Sequence, residues 1–133
     1  MIVGIGLDVV EIARITRSLQ TDLGGGGGGG RFEERAFTEA ERRDCAGRAD
    51  REQALAARFA AKEACFKALG TGWGGDAGAY LREVEVVSAP NGAPELRLSG
   101  GAASRARELK VKRLHVSLTH QPGIAAATVI LEG

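Results

Sequence analysis

The sequence predicts an α+β protein in which an antiparallel sheet packs against one long central helix, within a single domain over 1–133. Three observations carry this. Leu55 to Gly72, LAARFAAKEACFKALGTG, has helical periodicity; Glu83–Val87, Glu95–Leu98 and Leu114–Thr119 alternate with the period of strands; and the order of elements, a long helix followed by strands with turn chemistry at Pro90–Pro94 and Gln121–Gly123, suits an antiparallel sheet. On the helix, Leu55, Phe59, Phe66 and Leu69 form one stripe, and Ala57, Ala60, Ala61, Ala64 and Ala68 form a small-residue side where another backbone can approach closely. Asp50 followed by Gln53 approximates a capping box at its start, and Gly70 is suited to the left-handed conformation that closes it. Lys62 falls inside the apolar stripe, where it must snorkel or meet an anion. Glu63 and Lys67, one turn apart, have a plain reading as a surface ion pair.

Taken in order, the chain opens with an apolar strand over Ile2 to Leu7, whose Gly4 and Gly6 share a face and permit close approach. Asp8 follows at the expected strand end, before the helical pattern Ile12, Ile15, Leu19; from position alone it reads best as a helix N-cap. Arg14 and Arg17 lie near one another on that helix, as a solvated face or a docking surface. Gly24 to Gly30 is a run of seven glycines that reads as a flexible linker spanning on the order of 15 Å. It lacks the Lys or Ser/Thr and the flanking strand and helix of a phosphate loop. Arg31, Phe32 and Arg35 resume the structured chain, and Thr38 with Glu41 forms a capping box opening a short helix.

After the glycine-rich stretch WGGDAGAY, the strands over Glu83–Val87 and Glu95–Leu98 are joined by Pro90-Asn91-Gly92-Ala93-Pro94, which makes a hairpin. A helix is expected over Gly101 to Leu109. Leu114, Val116 and Leu118 then alternate with His115, Ser117 and Thr119, and His120 ends that strand. Gln121-Pro122-Gly123 turns the chain into IAAATVIL, apolar on both faces and so expected to be buried on both sides.

Composition narrows the functional classes. With 133 residues, 44% hydrophobic and 26% charged, the chain fits an ordinary globular domain. A net charge of +1 and 5% aromatic content disfavour nucleic-acid binding. The N-terminus lacks a basic n-region, and no apolar run approaches the roughly 20 residues of a membrane span, so the expectation is a cytosolic protein. Cys45 and Cys65 are too few for a disulfide framework and, with two histidines, leave no zinc-type spacing; a metal would need oxygen ligands.

The candidate chemistry is distributed over separate elements: Asp8; Glu63, Lys62 and Lys67 on the central helix; and the Ser117/His120 strand end. Two carboxylates brought together repel, and a hard divalent cation such as Mg²⁺ relieves that while keeping positions for water and substrate phosphates. The lysines with Arg58 would neutralise the rest of a pyrophosphate. Phosphoryl-type chemistry follows if Asp8 and Glu63 meet, which their spacing alone does not establish.

Three segments, GIGLDVVEI at Gly4–Ile12, RFAAKEACFKALGTG at Arg58–Gly72 and HVSLTH at His115–His120, resemble the three motifs of the 4′-phosphopantetheinyl transferases of the holo-(acyl-carrier-protein) synthase type. The resemblance runs through essentially the whole chain. It implies transfer of 4′-phosphopantetheine from coenzyme A to a serine of apo acyl carrier protein, with release of adenosine 3′,5′-bisphosphate. It further implies Mg²⁺ on Asp8 and Glu63, with Glu63 helping to remove the serine proton, directly or through a metal-bound water, and Lys67 stabilising charge on the transferred phosphate. Arg58, Lys62, Gly70, Ser117 and His120 would line the coenzyme A site, Arg14 and Arg31 would face the carrier, and the assembly would be a homotrimer with sites between subunits. Ala93 stands where the family often has a lysine, and the glycine run separates the two carrier-facing segments. The alternatives are a non-catalytic coenzyme A or nucleotide-binding module and a scaffold protein that would need neither Asp8 nor Glu63.

Overall fold

The computed structural model describes residues 1–23, 31–71 and 81–133, with Asp22, Leu23 and Arg31 placed as backbone only. The glycine linker and the WGGDAGAY stretch lie outside the described residues. The elements run β1 (Ile2–Glu11), α1 (Ile12–Leu23), α2 (Arg31–Ala36), α3 (Glu39–Cys45), α4 (Arg51–Leu69), a 3₁₀ turn (Leu81–Glu83), β2 (Val84–Ser88), β3 (Pro94–Leu98), α5 (Gly100–Glu108), β4 (Arg113–Gln121) and β5 (Ile124–Glu132). Strands β1, β5 and β4 form one antiparallel sheet in that order, and β2 with β3 forms a separate hairpin.

Helix α4 is the spine of the fold. Leu55, Ala60, Ala61, Ala64, Cys65 and Leu69 are fully or almost fully buried, while Phe59 and Phe66 of the expected stripe are only half-buried. Its alanine side receives β1, and the two strand glycines make this approach possible. A Cβ added to Gly6 would sit 1.8 Å from the Ala64 carbonyl oxygen, and one added to Gly4 would sit 2.1 Å from that of Ala68. Strand and helix backbones are therefore in direct contact, a separation open only to glycine. Ala125, Ala127, Val129 and Leu131 of β5 complete the buried layer. At the end of α4, Gly70 adopts φ 71°; its N–H donates to the Lys67 carbonyl and the Thr71 N–H donates to that of Phe66, which closes the helix in a Schellman motif. The start is capped differently from the expectation. Asp50 makes no side-chain cap bond, because its two oxygens are held by the Arg48 guanidinium at 2.8 and 2.9 Å. The Thr38–Glu41 capping box is present in full.

Two expectations are corrected. β1 continues through Glu11, so Asp8 is a strand residue paired in register with Ala127 and caps nothing. Central-strand pairing to β5 satisfies the backbone there and carries the strand past the carboxylate. Within the single chain β5 is fully closed on one face only: on the other, Ala126, Thr128 and Ile130 are half-buried, and the adjoining β1 presents Ile5, Leu7 and Val9 at 65%, 60% and 57% exposure.

Candidate active site

Strand alternation turns Asp8 to the same side as Gly4 and Gly6, towards α4, where it is almost fully buried. Glu63 and Lys67 come from the adjoining turns of α4. Lys67 does not pair with Glu63. Its ammonium donates to Asp8 Oδ1 and to the Leu7 carbonyl, each at 3.0 Å, and so bridges helix and strand. Burial first, then the Asp8 carboxylate beside it, push the Glu63 carboxyl up to about 8; the Lys67 and Arg14 charges oppose this. Asp8 and Glu63 thus meet as a carboxyl pair, which accommodates a shared proton or a cation but not two bare negative charges. Asp8 Oδ2 is buried without a donor.

This donor set fits a hard cation. An orphaned, buried carboxylate oxygen lies against a second carboxyl, and among the described residues no cluster of three or more His, Cys, Asp or Glu residues completes a cage. Two carboxylates with the other positions left to water or phosphate oxygens would suit Mg²⁺ and would not suit structural zinc.

Arg58, Ser117 and His120 come together at a second place. They line a cavity of about 300 Å³ between α4, the β2–β3 hairpin and β4, with Val86, Ser88, Gly92 and Pro94 on the hairpin wall. Arg58 is 6% exposed, its Nε has no hydrogen-bond partner, and its nearest acceptor is the Ala54 carbonyl at 3.4 Å. A buried guanidinium with unused donors beside a cavity suits an anionic group. Arg48 also lines this cavity and the sequence reading missed it, because it sits in a loop without periodicity. His120 is the penultimate residue of β4, at the strand end where the alternation places it.

The remaining site candidates are placed elsewhere. Lys62 carries no exposed surface: its ammonium donates to Glu41 Oε1 at 2.7 Å, to the Val84 carbonyl at 2.6 Å and to that of Leu81 at 3.1 Å, with the Phe37 ring 5.6 Å away. Burial lowers its pKa, and the Glu41 charge and hydrogen bond counter that. Lys62, which the resemblance would place at the coenzyme A site, is not among the residues that line that cavity; of the two options for a lysine in an apolar stripe, it meets an anion, and the anion is the chain's own Glu41. Gly70 serves as the helix C-cap. Arg14 is exposed on α1, close enough to act on Glu63, and the Arg31 side chain lies outside the described residues. Both thiols are free and buried, and burial pushes Cys65 up to about 12, so neither is a ready nucleophile.

The comparisons with known proteins agree with this geometry. Residues 4–128 match the model of the 4′-phosphopantetheinyl transferase superfamily. The holo-(acyl-carrier-protein) synthase of Methylobacterium radiotolerans is 52% identical over 136 residues, covering 99% of this chain and 94% of that protein. That of Anaeromyxobacter sp. strain K is 51% identical over 134 residues, covering 100% of this chain and 98% of that protein. Among solved structures, the Neisseria meningitidis holo-(acyl-carrier-protein) synthase superposes with a TM-score of 0.81 at 32% identity over the whole of both chains. The Bacillus anthracis enzyme, in complex with coenzyme A (3′,5′-ADP), gives a TM-score of 0.74 at 34% identity, covering 98% of this chain and 96% of that one. With the motifs in order, the fold shared and the carboxyl pair formed, this chain belongs to the 4′-phosphopantetheinyl transferase superfamily.

Proposed function

We propose that this chain is a holo-(acyl-carrier-protein) synthase: it transfers 4′-phosphopantetheine from coenzyme A to a serine of apo acyl carrier protein. The observation that carries the reading is the convergence of Asp8, Glu63 and Lys67, from two separate motifs, on one half-buried point. In the reaction the serine oxygen forms a bond to the β-phosphorus of the coenzyme A pyrophosphate. The bond from that phosphorus to the bridging oxygen breaks, and adenosine 3′,5′-bisphosphate leaves. Glu63, once its own proton has been displaced, helps to remove the serine proton, directly or through a water, and Lys67 offers a positive charge to the phosphate oxygens while holding Asp8 in place. Asp8 and Glu63 would hold Mg²⁺, which when bound supplies charge neutralisation on the pyrophosphate.

The cavity beside Arg58, Arg48, Ser117 and His120 is the proposed seat of the nucleotide end, since guanidinium groups recognise phosphate. Arg14, with Arg31, is proposed to face the carrier. The exposed apolar row Ile5, Leu7, Val9 supports the further proposal of a homotrimer, because an apolar sheet face of this kind is normally covered. Among the described residues no helix is long and apolar enough to cross a membrane; the cytoplasmic location read from the sequence belongs to the same proposal. The test is to incubate the protein with coenzyme A, Mg²⁺ and an apo carrier and to weigh the carrier by mass spectrometry. A gain equal to one phosphopantetheine is expected. Coenzyme A binding without gain on several carriers would leave a binding module in its place.

A further inference from the structure

The hairpin β2–β3 forms one wall of the cavity but shares no strand pairing with the main sheet. Its internal bonds use the odd-numbered residues of β2: the Ser99 N–H donates to the Glu83 carbonyl at 2.9 Å and the Ala89 N–H to that of Ala93 at 2.8 Å, on either side of the ladder that pairs Glu85 with Arg97 and Val87 with Glu95. The even-numbered residues Val84 and Val86 therefore turn their backbone groups to the other edge, away from β3. Among the described residues no strand lies there. Instead Lys62 Nζ donates to the Val84 carbonyl at 2.6 Å, and the Val86 N–H donates to Glu41 Oε2 at 2.9 Å. Donor and acceptor are joined by the Lys62–Glu41 ion pair at 2.7 Å, with neither side chain exposed.

We infer that Lys62 and Glu41 act together as a substitute edge strand, a positioning pair that fixes the hairpin wall against α4 and so sets the width of the nucleotide cleft. Neither residue lines the cavity itself. Lys62 lies one turn beyond Arg58 and directly before Glu63, so the pair ties the hairpin to the helix that carries both parts of the site. Val86, whose N–H Glu41 holds, lines the cavity itself. A buried ion pair with only an electrostatic role can often be replaced by apolar residues of similar volume without loss. This one cannot, because replacement leaves the Val84 carbonyl and the Val86 N–H without partners.

The inference rests on the coenzyme A reading of the cavity, and the experiment separates the two. Steady-state kinetics with coenzyme A and titration with adenosine 3′,5′-bisphosphate are compared for the full-length wild type, Lys62→Met and the double variant Glu41→Met/Lys62→Met; the double variant leaves no unpaired buried charge and keeps the test open if the single one does not fold. The expected result is a KM for coenzyme A raised about tenfold or more in both variants, the scale of a lost charge-assisted hydrogen bond, with kcat per folded molecule within about threefold of wild type. Faster amide exchange at Val86 should accompany it. A double variant with wild-type KM and wild-type nucleotide affinity overturns the positioning role while leaving the site intact. Failure of the wild type itself to bind coenzyme A or the bisphosphate overturns both.

Discussion

Lys67 reaches across from α4 to Asp8 on β1, with 3.0 Å between ammonium and carboxylate, and leaves Glu63 on its own helix unpaired with it. The choice of partner follows from what each carboxylate faces. Asp8 is buried against the helix and needs a compensating charge, whereas Glu63 can keep its proton. The i,i+4 pairing offered by the sequence gives way to a tertiary bridge.

This bridge makes Asp8 and Glu63 the most sensitive positions for turnover. Asp8→Ala and Glu63→Ala should each lower the rate of carrier modification by about 10²-fold or more, the usual scale for removing a group that stabilises transition-state charge. The fold, followed by circular dichroism, should persist. A variant that still modifies the carrier at wild-type rate in a chelator would remove the metal assignment.

The pH dependence of stability has a defined sign. In the folded chain Glu63 holds its proton up to about 8, against 4.5 as the ordinary value, so the folded state binds more protons across that window. The stability it contributes is whole below the ordinary value and is lost as pH rises through about 8. Metal-free wild type should therefore lose Tm between about pH 5 and about pH 8 more steeply than Glu63→Gln, which cannot titrate. Mg²⁺ must displace this proton, so it should raise Tm more near pH 8 than near pH 6. Equal shifts at both would count against a shared carboxyl site.

The contact between β1 and α4 gives a prediction about folding. Gly6→Ala places a methyl group 1.8 Å from the Ala64 carbonyl oxygen, which no rotamer relieves. The strand must lift, and a loss of about 3 kcal/mol or more is expected from urea unfolding. An unchanged midpoint would mean that strand and helix are not in backbone contact.

The cavity is tested through its cations. Arg58→Leu should weaken adenosine 3′,5′-bisphosphate binding by about tenfold or more in calorimetry, since a buried guanidinium with a free Nε is the natural anion partner there. Unaltered affinity would move the nucleotide end elsewhere.

The exposed face of β1 tests the assembly. Leu7→Glu adds a charge to the middle of the row Ile5, Leu7, Val9 and should shift sedimentation from trimer to monomer. A monomeric wild type at assay concentrations would remove the trimer proposal.

By itself the sequence determined the periodic elements: the helix α4, apolar on two sides and closed at Gly70, the hairpin around Asn91-Gly92, the alternating β4 and the two glycines that admit β1 to the alanine side. These are local properties, set by backbone sterics and by the spacing of apolar side chains. It also held the three motifs that mark the family. Tertiary structure decided how charges were shared. Asp8 reads as a cap until β5 pairs with β1 and extends the strand past it. Lys62 reads as a phosphate ligand until Glu41, from a separate helix, meets it in the core; Glu41 itself was visible only as half of a capping box. Charge pairing depends on which chain segments meet and on how much water they exclude, and linear spacing encodes neither.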